Sequence, residues 1–89
     1  MTGYEVAPRV AVVERGDDLF VTRLPDGPIV RLDGTAAVVW REALSDSEGD
    51  IVDRVALRVG ARSSDIAMDV GAFLSTLVGR HLLEPPPGG

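Results

Sequence analysis

The chain has 89 residues, 45% of them hydrophobic and 26% charged, and a formal net charge of −5. This length allows one domain with one small core, and the composition is that of a folded globular protein rather than a disordered one. The sequence contains no cysteine and one histidine, His81, which excludes disulfides, thiolate catalysis and the common Cys- and His-based metal sites. The acidic total argues against nucleic acid as a ligand, because proteins that hold the phosphate backbone carry a basic face.

Residues 1–7 contain no basic residue, no apolar run and no clear periodicity. They do not form a secretory signal, and no apolar run of the chain is long enough to span a membrane. We therefore predict a flexible N-terminus over 1–7, a cytoplasmic location and no membrane partner. The closing Pro85–Gly89 segment is predicted to be a flexible tail, because three consecutive prolines cannot join a helix or a central strand.

Three short apolar runs open the part of the chain that is predicted to fold. They are Val10–Val13, Leu19–Leu24 and Ile29–Leu32. Two turn signals separate them, Arg15-Gly16-Asp17 and Pro25-Asp26-Gly27, and these residue types set the backbone angles that tight turns require. Because consecutive runs joined by tight turns pair with each other, the sequence predicts a three-stranded antiparallel sheet.

The hydrophobic period changes to that of a helix after Asp33, a residue that can cap a helix N-terminus. Gly34–Leu44 is predicted to form the first helix around a buried Trp40, which is the largest side chain in an aromatic-poor chain. Ser45 and Glu48 have the spacing of a capping box, which predicts the start of a second helix.

Gly60 has the residue type that ends a helix, so the second helix is predicted to stop there. A third helix is predicted to begin after Ser63 or Ser64 and to end at about His81. The predicted fold is therefore α+β in the order βββααα, with the folded domain over 8–84.

The third strand is an edge of the predicted sheet, and it has no Lys or internal Pro to protect it from pairing. Val30 and Leu32 share one face of this strand, which we take as the inward face, and Arg31 supplies the outward charge. The third helix has two neighbouring apolar stripes, one more than a helix in a single layer needs; they are Ile66, Val70, Phe73 and Leu77, and Ala67, Gly71, Leu74 and Val78. A free edge beside a spare stripe suits the capture of an extended peptide. The residues alone support equally well the alternative that the edge is already covered, either by the N-terminal residues or by a second copy of the chain.

Catalysis has little support in the sequence. Asp65 and Asp69 lie one helical turn apart and could in principle pair as acid and base. A helix N-terminus that favours an anion and a solvated helix face explain both residues better. The sequence has no phosphate-binding Gly loop and no nucleophile beside a recognisable base. We therefore predict a protein that is not an enzyme and that holds no cofactor and no metal.

Two motifs occur in fixed order along the chain. Leu32–Trp40 fits the pattern Leu-Asn-x-Thr-Gly-Ala-x-x-Trp, with Asp33 in place of Asn and Ala36 in place of Gly, and Asp69–Leu77 fits Asp-Val-x-x-Phe-Leu-x-x-Leu. Their joint order and spacing over about 8–84 resemble the PqqD-like family. Members of that family are recognition elements for ribosomally synthesised and post-translationally modified peptides (RiPPs).

The resemblance implies a winged helix-turn-helix-like domain that binds the leader of a precursor peptide. The leader would add as a strand beside the third strand, in the cleft next to the third helix. The domain would then present the peptide to a modifying enzyme such as a radical-SAM enzyme, a leader peptidase or a cyclase. The residues expected to contact the leader are Pro28, Ile29, Val30, Arg31, Leu32, Asp65, Met68, Asp69, Ala72, Phe73 and Thr76. We expect a monomer or a weak homodimer.

Two other functions fit the predicted fold. A winged-helix DNA-binding protein is the first, although such a protein places Arg and Lys on its third helix, whereas 63–81 carries Arg80 against Asp65 and Asp69. A small homo-oligomerising interaction domain, which covers its own sheet edge, is the second.

Overall fold

The computed structural model describes residues 3–45 and 47–86, so the outermost residues of both expected flexible termini lie outside it. In chain order its elements are β1 (Glu5–Val6), β2 (Val10–Arg15), β3 (Asp18–Arg23), β4 (Ile29–Leu32), α1 (Gly34–Ala43), α2 (Ile51–Val59), α3 (Ser63–Gly79) and β5 (Leu83–Glu84). The three-stranded sheet followed by three helices confirms the predicted α+β fold.

The main sheet has the strand order β2-β3-β4, with both pairs antiparallel. A two-residue turn joins β2 to β3, and Gly16 in it has a φ of +60°, which glycine adopts without strain. In the next turn the Gly27 N–H donates to the Arg23 carbonyl at 2.7 Å, and the Thr22 hydroxyl donates to the Gly27 carbonyl at 2.9 Å. A Cβ at position 27 would collide with the Arg23 carbonyl oxygen, so this turn requires glycine.

Two helices begin at other residues than the sequence predicted. α3 begins at Ser63 itself rather than after it, and α2 begins several residues later than its predicted start. Gly60 ends α2 in the left-handed conformation, with a φ of +71°, as predicted. The prediction of a capping box at Ser45 and Glu48 is wrong, because α2 begins only at Ile51, after Asp50. The Ser45 hydroxyl instead accepts a hydrogen bond from the Ser47 N–H at 3.1 Å. This side chain therefore stabilises a turn in the loop before α2 and does not cap the helix.

The helices pack their apolar residues against one face of the sheet. Trp40 is 2% exposed, which confirms the predicted anchor, and Leu32 is 3% exposed with Val30 half-buried beside the core. The inward face of β4 is therefore the predicted one. The buried cluster consists of Leu19, Val21, Leu32, Ala37, Val39, Trp40, Ala43, Val55, Val70, Leu74, Leu77, Leu82 and Leu83.

The two ends of the domain form a small ribbon that the sequence did not reveal. β1 pairs antiparallel with β5, with Val6 opposite Leu83. The Tyr4 N–H donates to the Ala43 carbonyl at 2.8 Å. Residues 4–7 thus make backbone hydrogen bonds to the rest of the domain, and the flexibility expected over 1–7 stays a prediction. The ribbon escaped prediction because two-residue strands have no readable alternation.

A charged cluster joins α1 to α2. Glu42 is 8% exposed, and its carboxylate accepts from Arg54 Nε at 3.1 Å and lies 3.4 Å from Arg58 Nε. Arg54 also donates to the Glu42 carbonyl and to loop carbonyls before α2. Because a buried carboxylate needs compensation, this arginine holds the two helices and their loop together.

Candidate functional site

The outer side of β4 is free. β4 pairs with β3 alone, and alternate residues of an antiparallel strand point their N–H and C=O groups to opposite sides. About half of the β4 backbone groups therefore face away from the sheet. The N-terminal residues, which could have covered this edge, pair with β5 in a separate sheet. Across 3–45 and 47–86 nothing else pairs with it, and Ile29 is 72% exposed.

An open cavity of about 440 Å³ lies beside this free edge. Its walls come from the end of β3, the turn into β4, β4 itself and the residues that directly follow α3. The lining residues are Arg23, Gly27, Pro28, Val30, Arg80 and Leu82. The cavity therefore joins the start of β4 to the end of α3, and two of the expected contact residues, Pro28 and Val30, lie in it.

The face of α3 that continues from this cavity is set by helical spacing. Arg80 follows α3 directly, and Asp69, Phe73 and Thr76 precede it at helical intervals, so all four share one face. Phe73 is half-buried against the core, and the Thr76 hydroxyl donates to the Ala72 carbonyl at 3.0 Å. These expected contact residues thus lie in line with the cavity.

The residues of the N-terminal half of α3 that were expected to contact the leader lie farther from the cavity beside β4. Asp65 and Met68 lie 15 and 12 positions before Arg80, which is about 22 and 18 Å along a helix. Met68 is 86% exposed and is rotated about 120° from Arg80 around the axis. Ala72 is also exposed. The cavity touches none of these three residues. Contact with a ligand stays a prediction for them, as it does for every other residue expected to contact the leader.

Only the first of the two predicted apolar stripes of α3 is at least half-buried along its whole length. Ile66, Val70, Phe73 and Leu77 are all buried or half-buried. In the second stripe Leu74 is buried and Val78 is half-buried, whereas Ala67 and Gly71 are exposed. Gly71, Leu74 and Val78 line a separate open cavity of about 580 Å³ together with Tyr4 and Pro85. The second stripe therefore borders a groove next to Tyr4 and Pro85 rather than the cavity beside β4.

Arg31 is less available than the sequence suggested. Its guanidinium Nη2 lies 2.8 Å from Asp18 Oδ2 and 3.7 Å from Asp33 Oδ2. Two carboxylates thus already compensate the one positive charge of β4. Leu32, the last residue of the strand, is buried, so its side chain packs in the core beneath the edge and is not accessible to a ligand.

Sequence reasoning missed four residues of the cavity, namely Arg23, Gly27, Arg80 and Leu82. A signal existed for Arg80, which lies seven positions after Phe73 and so shares its helical face. No local pattern links Arg23 to this helix, because only the packing of the whole domain brings the end of β3 to the end of α3.

Among residues 3–45 and 47–86, no group of three or more His, Asp and Glu side chains is placed to hold a metal ion. In the same ranges, no helix combines the length and apolar character that crossing a membrane demands.

These features define a small α+β domain with an unpaired sheet edge beside a cavity that lies next to the C-terminal end of α3. The family model described as "Coenzyme PQQ synthesis protein D (PqqD)" matches residues 14–83, which is more than three quarters of the chain. The chain therefore belongs to the PqqD family, as its two motifs predicted.

A solved structure shares this fold. TbiB1, determined in complex with the TbiA(beta) leader peptide, superposes with a TM-score of 0.76 over 90% of this chain and 94% of that chain. The two sequences are 21% identical, so the likeness concerns the fold. None of the curated proteins compared with the chain matches it.

Proposed function

We propose that this protein binds the leader segment of a RiPP precursor peptide and presents the remainder to a modifying enzyme, without catalysing a reaction itself. The observation that carries the proposal is the free edge of β4 beside the cavity lined by Val30 and the end of α3. Membership of the PqqD family supports it. The shared fold with TbiB1, whose structure holds a leader peptide, gives further support.

Strand addition explains how this edge would bind a peptide. The outward N–H and C=O groups of β4 supply main-chain hydrogen bonds to any extended segment. Alternate side chains of the added strand would point inward, toward the same side as Val30, where the cavity offers about 440 Å³ of room. Affinity would thus come mainly from the backbone, and selectivity from the cavity and the Phe73 face of α3.

The partners follow from this mode of binding. The peptide is the first partner, and a radical-SAM enzyme, a leader peptidase or a cyclase is the second, because a domain that only binds the peptide needs an enzyme to modify its cargo. We propose a monomer or a weak homodimer as the binding form. A second copy that paired along β4 would occupy the peptide site and compete with it.

The first test selects peptides and maps them. A random library of about 12-residue peptides, roughly 40 Å when extended, is displayed and selected on the immobilised protein. An enriched peptide is then titrated into isotope-labelled protein. We expect amide shifts from Ile29 to Leu32 and from Phe73 to Leu82. A selection without enriched peptides, or shifts confined to β2 or α2, would overturn the proposed function.

The second test removes one backbone donor. Ile29→Pro and Val30→Pro each delete an N–H of β4, and because neighbours alternate, one of the two N–H groups faces outward and the other faces β3. The variant that loses the outward N–H is expected to keep its fold, seen as an unchanged far-ultraviolet circular dichroism spectrum, and to lose peptide binding. The matched control is the folded member of the pair Val12→Pro and Val13→Pro on the opposite edge, which is expected to bind normally. A folded β4 variant with wild-type affinity would contradict strand addition.

A further inference from the structure

The cavity beside β4 is basic, although the protein as a whole is acidic. Arg23 and Arg80 line it, and among the residues that the structure describes no carboxylate does. The full chain carries a net charge of −5, so two arginines on one cavity without an acidic residue are a local exception. Both are exposed, and within 3–45 and 47–86 neither lies within 4.0 Å of a carboxylate oxygen.

Further basic groups stand behind these two arginines. Arg9 and His81 line an adjoining cavity together with Arg23. The Leu24 N–H donates to the Arg9 carbonyl at 2.7 Å, which fixes the backbone of this basic end. One carboxylate, Glu84, lies on the same adjoining cavity.

Asp26 is a second carboxylate of this region, and it lies with Arg9 and Arg23 around the turn before β4. Glu5, opposite Glu84 in the β1–β5 ribbon, is a third. Among the described residues, neither Asp26 nor Glu84 forms an ion pair. The arginine charges at the start of β4 are therefore not neutralised by close contact.

The opposite end of β4 has the opposite character. Arg31 is shared between Asp18 and Asp33, which leaves an excess of negative charge beside Leu32. Nearby, Arg41 is compensated by Glu14 at 3.5 Å. The edge strand therefore runs from a basic end at Pro28 to an acidic end at Leu32, and a peptide laid along it meets different charges at its two ends.

We infer that an acidic side chain of the bound peptide sits between Arg23 and Arg80, at the Pro28 end of β4. This inference rests on the proposed function and specifies the kind of leader that the cleft accepts. A peptide that pairs antiparallel to β4 would carry this acidic residue toward the C-terminal end of its bound segment, and a parallel one toward the N-terminal end. The charge gradient thus also fixes the register of the peptide on an edge whose main-chain bonds alone would permit sliding.

The library described above provides the probe. Peptides enriched on the wild-type protein are expected to contain Asp or Glu at one fixed position near one end. Selection on the Arg23→Gln/Arg80→Gln variant is expected to lose that preference while still enriching peptides. Arg62→Gln is the matched control for the single variants Arg23→Gln and Arg80→Gln, because each of the three removes one exposed positive charge. Arg62 lies before α3, about 27 Å of helix away from Arg80.

Affinity measurements make the pairing quantitative. In the best enriched peptide, replacing the acidic residue by its amide is expected to weaken binding to the wild type by about three- to tenfold, since each exposed ion pair contributes up to about fivefold. The same replacement is expected to change binding to the double variant by less than about twofold, and high salt is expected to reduce the wild-type effect.

The outcomes separate the two proposals. Enriched peptides without an acidic preference, or an acidic preference that survives in the double variant, would overturn the arginine site and leave peptide capture standing. If Arg62→Gln also abolished the preference for an acidic residue, the preference would depend on net charge alone, and the arginine site would be overturned as well. A selection that enriches no peptide on the wild-type protein would overturn the proposed function, and this inference with it.

Discussion

Arg54 is expected to contribute more to stability than its position on a helix surface suggests. Its Nε donates to the Glu42 carboxylate and its Nη2 to the Glu42 carbonyl, both at 3.1 Å. The side chains of Arg54 and Glu42 are 18% and 11% exposed. Arg54→Ala would leave a nearly buried carboxylate with Arg58 as its remaining close partner, at 3.4 Å.

The size of the loss follows from this geometry. Removing one partner of a fully buried pair costs about 3–5 kcal/mol, and the partial exposure here places Arg54→Ala at the lower end, about 3 kcal/mol. A domain of 89 residues has a free energy of unfolding of about 4–13 kcal/mol. The midpoint of thermal unfolding is therefore expected to fall by about 10–25 °C.

The assay is urea unfolding followed by the fluorescence of Trp40, the single tryptophan of the chain. Arg58→Ala is the matched control, because Arg58 is 69% exposed and is expected to contribute less than about 1 kcal/mol. In the double variant Glu42→Gln/Arg54→Ala, the buried charge is gone, so the loss is expected to be smaller than the sum of the two single losses. Equal losses for Arg54→Ala and Arg58→Ala would refute the account of this cluster.

Three further predictions concern the core, the ends and nucleic acid. Trp40→Ala is expected to lower the free energy of unfolding by about 3–5 kcal/mol, because the side chain is 2% exposed; an unchanged melting temperature would contradict that. Deleting residues 1–7 removes β1 and uncovers Leu83, so we expect a lower urea midpoint, whereas a midpoint equal to that of the full chain would show that the ribbon adds nothing. No specific duplex DNA complex is expected in a mobility shift at physiological salt, given the acidic chain; a sub-micromolar specific complex would reverse this.

The main sheet and the three helices could be predicted because their signals are local. The turn at Pro25-Asp26-Gly27 and the change of period after Asp33 each depend on a few adjacent residues. The misassigned capping box at Ser45 shows the weakness of such signals. Its spacing was right, but Arg54, distant in the sequence, holds the carbonyls before α2 in a loop.

The candidate site could be predicted in part for the same reason. The edge strand and the Phe73 face were readable from periodicity, and the PqqD motifs supported both. The basic end of the cleft was not readable, because Arg9, Arg23 and Arg80 come from three separate parts of the chain. Arg31, the one charge that the strand pattern did indicate, is already paired with Asp18 and Asp33.

Amide hydrogen exchange of β4, measured with and without an enriched peptide, tests the central claim most directly. Strand addition predicts that one alternate pair of amides, either Ile29 and Arg31 or Val30 and Leu32, gains protection when the peptide binds, because those N–H groups acquire a new acceptor. The amides of β2, on the other edge of the sheet, are expected to exchange as before. Peptide binding that leaves every β4 amide unchanged, or that protects β2 instead, would contradict the account.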